Sequence, residues 1–593
     1  MFLRAKTRYK DGKLHRYWSI VESRRVHGKG VVQRQVMYLG EINDAQHHAW
    51  CKSIAVLSED KSTVRQMALF PADAPVPTVD CDVVQVKLNE LSVRHPRQWG
   101  ACWLALRLWD QLELDAFWQS RLAPSRKGTR WLDILKTLVC YRLIAPGSEW
   151  RLHRQWYGHS AMADLLGTEA PVIGDDTLYR CLDRLLAHKT AMFTFLKQRW
   201  TDLFGATFEV LLYDLTSTYF ECDPPAEGKR RFGYSRDKRS DCVQVVIALI
   251  VTPEGLPLAD EVLAGNTSDK TTLADFLDKI ETQYGKAHRI WVMDRGIPTE
   301  AVLADMCTSA TPVSYLVGTP RGRLSALEQA FLERPWENVR EAVQVKLLEH
   351  DGELYILAKS ADRVHKERAM RSRKLKQLWK RLKQLQRQSL SLHEFLIKLG
   401  AAKSEAGRAY TLVDIQWPDT EAEFAREGFQ FTLNKTKLCR QRRRDGHYLL
   451  RSNLTTADPA QLWQQYVQLT EVEQAFKELK SDLAIRPIYH QRDDRIEAHI
   501  FVAFIAYCLQ VTLKQRLRPL APGLTPRAVL EKVASLQMVD MHLPTTDDRE
   551  LILTRYTEPE LDHRLLLKRL DLDWPVQPPP KIRAQAVPRI TPT

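Results

Sequence analysis

The sequence predicts an α/β protein in which a mixed sheet covered by helices follows an N-terminal hairpin and a helical region. The clearest of three observations is a set of strand-length runs. FEVLLYD and CVQVVIALIVTP, from Phe208 onward, are apolar and β-branched, and LPLADEVLAG repeats the pattern after Gly255. A polar helix over 269–284, the strand RIWVMD, a helix over 300–306 and the strand SYLVG come next. Three strands, helix, strand, helix, strand is an order that suits a mixed sheet under helices. Over 97–203, Trp, Leu and Tyr recur at three- and four-residue spacing, which predicts helices. Residues 14–40 read as a hairpin: LHRYWSIVESRRV, a Gly28-Lys29-Gly30 turn suited to positive φ, then VVQRQVMYLG.

From the N-terminus, 1–70 form the hairpin-containing region, and 71–96 a linker marked by three prolines between Phe70 and Thr78. Residues 97–205 form the helical region, where Asp175 or Asp176 is placed to cap TLYRCLDRLLAHK. Residues 206–321 and 456–520 form the core, whose element order is also that of a ribonuclease-H-like fold. Residues 322–455 interrupt it as an insertion domain. They hold strand-like VQVKLL and LYILAK, a basic stretch over 363–387 and a late strand, HYLLRSNL. Leu375, Leu378, Leu382 and Leu385 give the basic stretch a helical apolar stripe. Residues 521–593 end the chain, proline-rich from Trp574 and expected to be disordered there.

The formal charge of +14 favours a polyanionic partner, because each phosphate contact releases condensed counterions. The stretch over 363–387 either lies along such a backbone or is a solvated helix held by its leucines. The helical region either binds DNA or serves as scaffold. Ten cysteines are scattered from Cys51 to Cys508 without a CxxC pair. Neither a zinc ribbon nor a disulfide framework is therefore expected, and a reducing compartment is. MFLRAKTRYKDGK lacks the apolar core of a signal peptide. The apolar run HIFVAFIAYCLQVTL, over 499–513, is short for a bilayer and is followed by Lys514 and Arg516. A buried helix, no membrane and a cytoplasmic location are the expectation.

Three acidic residues stand out. Asp214 ends the apolar run FEVLLYD, and Asp294 ends RIWVMD before Gly296 and Pro298 turn the chain. Carboxylates at such positions lie at the edge of a buried sheet, and adjacent strands would bring both to one ion. The third, Glu473, lies in a helix that Asp458 caps and Pro459 begins. Tyr466, Glu473 and Lys480 are spaced by seven, so they share one helical face over about 21 Å. Hard carboxylate oxygens suit Mg²⁺, and two such ions activate a water or 3′-hydroxyl without a protein nucleophile. Lys480 would meet a phosphate, and Tyr466 would bond one or stack on a base. Among other candidates, Asp237 and Asp241 read as solvated loop charges, and Arg295 as a DNA contact or a structural ion pair. His490, Asp493, Asp494, Glu497 and His499 match no zinc spacing and read as capping or solvated groups.

With these residues in order, the chain resembles the DDE-type insertion-sequence transposases, in particular the cut-and-paste group with a Y-x2-R-x3-E-x6-K signature. Tyr466, Glu473 and Lys480 fall at the matching spacings, while Leu469 stands at the Arg position, which usually contacts DNA. GYSRDKRSDCVQ from Gly233, GNTSD from Gly265, RPIYHQRDDRIEAHI from Arg486, and the N-terminal MFLR and YLGEIN are also similar. The resemblance implies a ribonuclease-H-like catalytic domain interrupted between Asp294 and Glu473. It implies two Mg²⁺ ions, with Mn²⁺ as a substitute, Asp214 bridging both and Asp294 and Glu473 each holding one. It also implies double-stranded DNA as partner (terminal inverted repeats and target), synapsis as a homodimer, and excision through hairpinned ends. The alternatives are a metal-dependent endonuclease on the same fold and a DNA-binding derivative without catalysis.

Overall fold

Each strand-like run of the core becomes a strand in a computed structural model of the chain. The structure describes residues 2–41 and 86–583, apart from 11–12, 27–29, 127, 168–173, 236, 238, 268–278, 281, 284–288, 295–299, 309–312, 320–326, 328, 341–342, 389, 455–457 and 546–549. The expected turn residues Gly28 and Lys29, the prolines before Thr78, most of the 269–284 helix and Arg295 lie outside the described residues. The chain divides into two compact units. One comprises Met1–Ala5, Tyr17–Arg289 and Gln468–Thr593; the other comprises Lys6–Arg16 and Ile290–Val467.

The N-terminal strands β1 (Phe2–Lys10), β2 (Lys13–Val26) and β3 (Gly30–Glu41) form their own sheet, with β2 and β3 paired antiparallel as a hairpin. In the first unit, β5 (Val210–Phe220), β6 (Val243–Val251) and β7 (Pro257–Ala264) form an antiparallel meander. The middle strand, VQVVIALIV, is buried along its whole length, which its β-branched composition fits. The longer helices before the meander are α1 (Gly100–Gln111), α2 (Trp131–Ile144), α3 (Asp175–Leu182) and α4 (Lys189–Phe204). Asp175 begins α3 rather than capping it, and Gly174 takes the cap position.

The long helix α11 (Asp493–Leu520) is buried on every side from Ala498 to Leu513 and packs against α1 and α2. It extends well beyond the apolar run and is long and apolar enough to cross a membrane by length and composition. However, 94% of that window is buried inside the fold, as in a core helix. A second antiparallel sheet has the order β18-β17-β16-β4. It joins β4 (Ser92–Gln98) to β16 (Gln537–Pro544), β17 (Glu550–Tyr556) and β18 (Lys581–Arg583). Composition predicts disorder from Trp574, but the chain is packed through Arg583. Trp574 lies edge-on to Trp99, with ring centroids 5.1 Å apart, and Arg555 donates to the Pro578 carbonyl. The prolines sit outside the ladder and cost it no N–H donor.

In the second unit the strand order is β10-β11-β12-β15-β9-β8. The strands are β8 (Ile290–Met293), β9 (Ser314–Gly318), β10 (Glu337–Arg340), β11 (Val343–His350), β12 (Glu353–Ser360) and β15 (His447–Ser452). Among the described strands of this unit only β8 and β9 pair in parallel, linked through α5 (Glu300–Thr308), so the sheet is mixed. A smaller hairpin pairs β13 (Val413–Gln416) with β14 (Gln430–Leu433). The basic stretch forms α6 (Ala361–Gln386), which buries Leu378, Leu382 and Leu385 against Phe395 and Leu399 of α7 (Leu392–Ala406).

Candidate active site

Asp214 sits mid-strand in β5, opposite Leu249 of β6, rather than at a strand end. The residues after it, LTSTYF, are themselves good strand formers, so the strand runs on to Phe220. Its carboxylate is half-buried, and Oδ1 accepts the Leu215 N–H at 2.8 Å. Helix α10 (Leu469–Lys477) packs on β5 and β6. It buries Leu469, Val472, Ala475 and Phe476 and leaves Glu473 exposed. The first unit thus holds Asp214 and Glu473 on two elements that pack together.

Asp294 belongs to the second unit. It follows the last residue of β8 and is exposed, as its position after an apolar run suggests. Tyr466, in α9 (Pro459–Val467), donates a long hydrogen bond, 3.5 Å, to Asp294 Oδ1. Tyr466 itself packs between Tyr448 and Trp463.

The expectation of one regular helix carrying Tyr466, Glu473 and Lys480 is corrected. A turn at Gln468 separates α9 from α10, and Glu478–Asp482 widens into a π-helical turn. There the N–H of Leu483 reaches back to the Glu478 carbonyl at 2.9 Å. Glu478 is buried and accepts from Gln510 of α11 at 2.9 Å, which holds the widened turn against the core. Lys480 is in that turn, and its ammonium meets Asp237 at 3.1 Å, as Arg486 also does at 3.1 Å. Asp237 is therefore an ion-pair partner rather than a solvated loop charge. Asp241 does pair at the surface, with Arg239.

Among the described residues, two clusters have metal-ligand atoms close enough to share an ion: Glu149 with His490 and His499, and Glu560 with Asp562 and His563. Both already face a protein cation. Lys532 pairs with Asp562, and the Arg142 guanidinium donates to His499 Nε2 at 3.2 Å. That contact leaves Nδ1 of His499 to donate to Glu149 Oε1 at 2.9 Å, while His490 Nε2 donates to the same oxygen at 3.3 Å. Burial opposes ionisation of Glu149, but His499 and His490 outweigh it and hold the carboxyl well below its usual range. Burial, then Arg142, push the His499 imidazole down to about 4. This is a buried hydrogen-bonded network that sequence spacing could not reveal.

A family model for the transposase DDE domain matches residues 209–509, and one for the N-terminal domain of IS1634 family transposases matches residues 3–62. The chain belongs to the insertion-sequence DDE transposases. The DDE match spans half of the transposase and includes Asp214, Asp294 and Glu473 in order. No curated protein matches the chain. Among solved structures, the piggyBac transposase synaptic complex with hairpin DNA is similar at 10% identity and a TM-score of 0.34. That alignment covers 75% of this chain and 82% of the other, and a likeness so slight carries no argument. In the transposase, the Arg position of the tyrosine-to-lysine signature holds Leu469, 8% exposed on the packed face of α10. A side chain there belongs to the helix–sheet contact.

Proposed function

We propose that the chain binds the terminal inverted repeats of its own element, excises it and joins its ends to target DNA. Asp214, Asp294 and Glu473 are the groups that would hold two Mg²⁺ ions, Asp214 serving both. The donor chemistry fits: all three offer carboxylate oxygens, the ligands that hard divalent cations take. The Glu149 and Glu560 clusters fit less well, because each is already matched by Arg142 or Lys532. Bound there, the ions would activate an attacking water or 3′-hydroxyl and offset charge on the leaving oxygen.

The chain's own part is to position. Packing of α10 on β5 holds the Glu473 helix against the strand that carries Asp214, and the Tyr466 hydroxyl orients the Asp294 carboxylate. Lys480, shared with Asp237, would turn to a DNA phosphate when one arrives. The three-strand meander followed by two parallel strands linked through a helix supports a ribonuclease-H-like core. Action as a homodimer and hairpinned excision products belong to the same proposal. The observation that carries it is the DDE-domain match spanning all three carboxylates.

The test uses the full chain with labelled element ends, Mg²⁺ and a target duplex. Asp214→Asn or Glu473→Gln is expected to lower cleavage by about 10³-fold, equivalent to about 4 kcal/mol of barrier, with end binding retained. Chelation of divalent ions should do the same. Joined products require a donor 3′-hydroxyl; cleavage without joining would instead identify an endonuclease, and unchanged cleavage by both variants would refute the site.

A further inference from the structure

The segment between β9 and β15 carries far more positive charge than its packing needs. Helix α6 has ten Lys and Arg residues against Asp362 and Glu367 alone. Its leucine face is buried in the second unit, so the charges line the other sides over a length of about 39 Å at 1.5 Å per residue. Helix α8 (Lys435–Arg443) contains no acidic residue, and Arg440, Arg442 and Arg443 crowd its last turn. One cation would satisfy the helix dipole there.

Helix α6 is tied to the chain just past α8. Asp445, just past α8 and almost fully buried, accepts both terminal nitrogens of Arg371 from α6, at 2.5 and 2.7 Å. Arg368 adds a third contact at 3.3 Å. One carboxylate thus ties α6 to the end of α8. Beside it, a cavity of about 270 Å³ is lined by Lys437, Arg440, Arg444 and His447, with Thr411 and Leu412, and no carboxylate lines it. Lys437 also meets Asp414 at 3.0 Å, on the exposed side.

We propose that α6, α8 and this cavity form a phosphate-binding surface that grips the backbone of duplex DNA. It rests on the transposase reading above, since a chain that never meets DNA has no use for it. A basic helix longer than one DNA turn, tied through Arg371 and Asp445 to the end of a second basic helix, matches a run of phosphates rather than an isolated anion. Such contacts fix position and affinity without reading sequence.

The test is fluorescence anisotropy with the full chain, on an element-end duplex and on a scrambled duplex, across a salt series. The triple variant Arg440→Gln, Arg442→Gln, Arg443→Gln is expected to weaken both duplexes equally, about tenfold or more near 0.1 M salt. The slope of log K against log salt should become shallower by about 2.7, at 0.9 per lost contact. The matching Arg→Lys triple should keep the wild-type slope, which separates charge loss from misfolding. Unchanged affinity and slope in the Gln variant overturn the surface alone, whereas a wild-type chain that binds neither duplex overturns the transposase reading. If the Gln variant loses binding of inorganic phosphate with DNA affinity intact, the cavity serves a small anion and the DNA assignment is wrong.

Discussion

Glu149 accepts from two histidines that lie 341 and 350 residues further along the chain, so nothing local in the sequence announces the group. Its effect on stability should be visible in solution. His499 takes up its proton near pH 4 when folded, against an ordinary value of 6.5. Between those limits the unfolded chain binds more protons, so stability falls as pH drops through the window. The shift corresponds to about 3 kcal/mol at 1.36 kcal/mol per unit. Glu149, depressed as well, adds loss in the same direction once pH falls below its unfolded value. Urea unfolding from pH 7 to 4 should show the decline, and His499→Gln should flatten it between 6.5 and 4; equal slopes for both proteins would discard the account. The exposed position of Asp294 after an apolar run was legible, whereas counting from the Asp458 cap did not place Glu473, because the helix breaks at Gln468. The Lys480–Asp237 pair was not legible either, since 243 residues separate the partners.

Elements follow local chemistry most closely where one face is buried, and depart from it where a distant contact intervenes. The apolar patterns of β6, α6 and α11 were plain in sequence, whereas the widened turn after Lys477 depends on Glu478 meeting α11. Glycines show the same division. A Cβ on Gly265 would lie 2.0 Å from the Gln244 carbonyl oxygen in β6, so Gly265→Ala must push the strand aside. The expected cost is about 3 kcal/mol. Gly400, inside α7, has nothing within 4 Å of the same position. Gly400→Ala is expected to stabilise by about 0.5–1 kcal/mol through helix propensity. Thermal unfolding of the two variants reads the contrast, and similar shifts for both would contradict it.

At the scale of the molecule, the first unit is closed by its own extremities. Strand β4 pairs with β16, while Trp99 stacks on Tyr556 at 4.2 Å and meets Trp574. Removing residues 574–593 should therefore lower stability by about 3 kcal/mol or more, in the range of losing a packed Trp. Urea unfolding of the truncated chain checks this, and an unchanged midpoint would show the tail to be dispensable. Composition concealed this, because a proline-rich stretch looks alike whether it packs or not. The pairing of β4 with β16 also sets a timetable for synthesis. Arg97 meets Asp540, its partner 443 residues later. At about 5–20 residues per second, ribosomes need roughly 20–90 s to deliver that partner. Through that interval the nascent chain carries an open strand edge and uncovered tryptophans, a standing invitation to chaperones. A prematurely terminated message therefore yields no finished first unit.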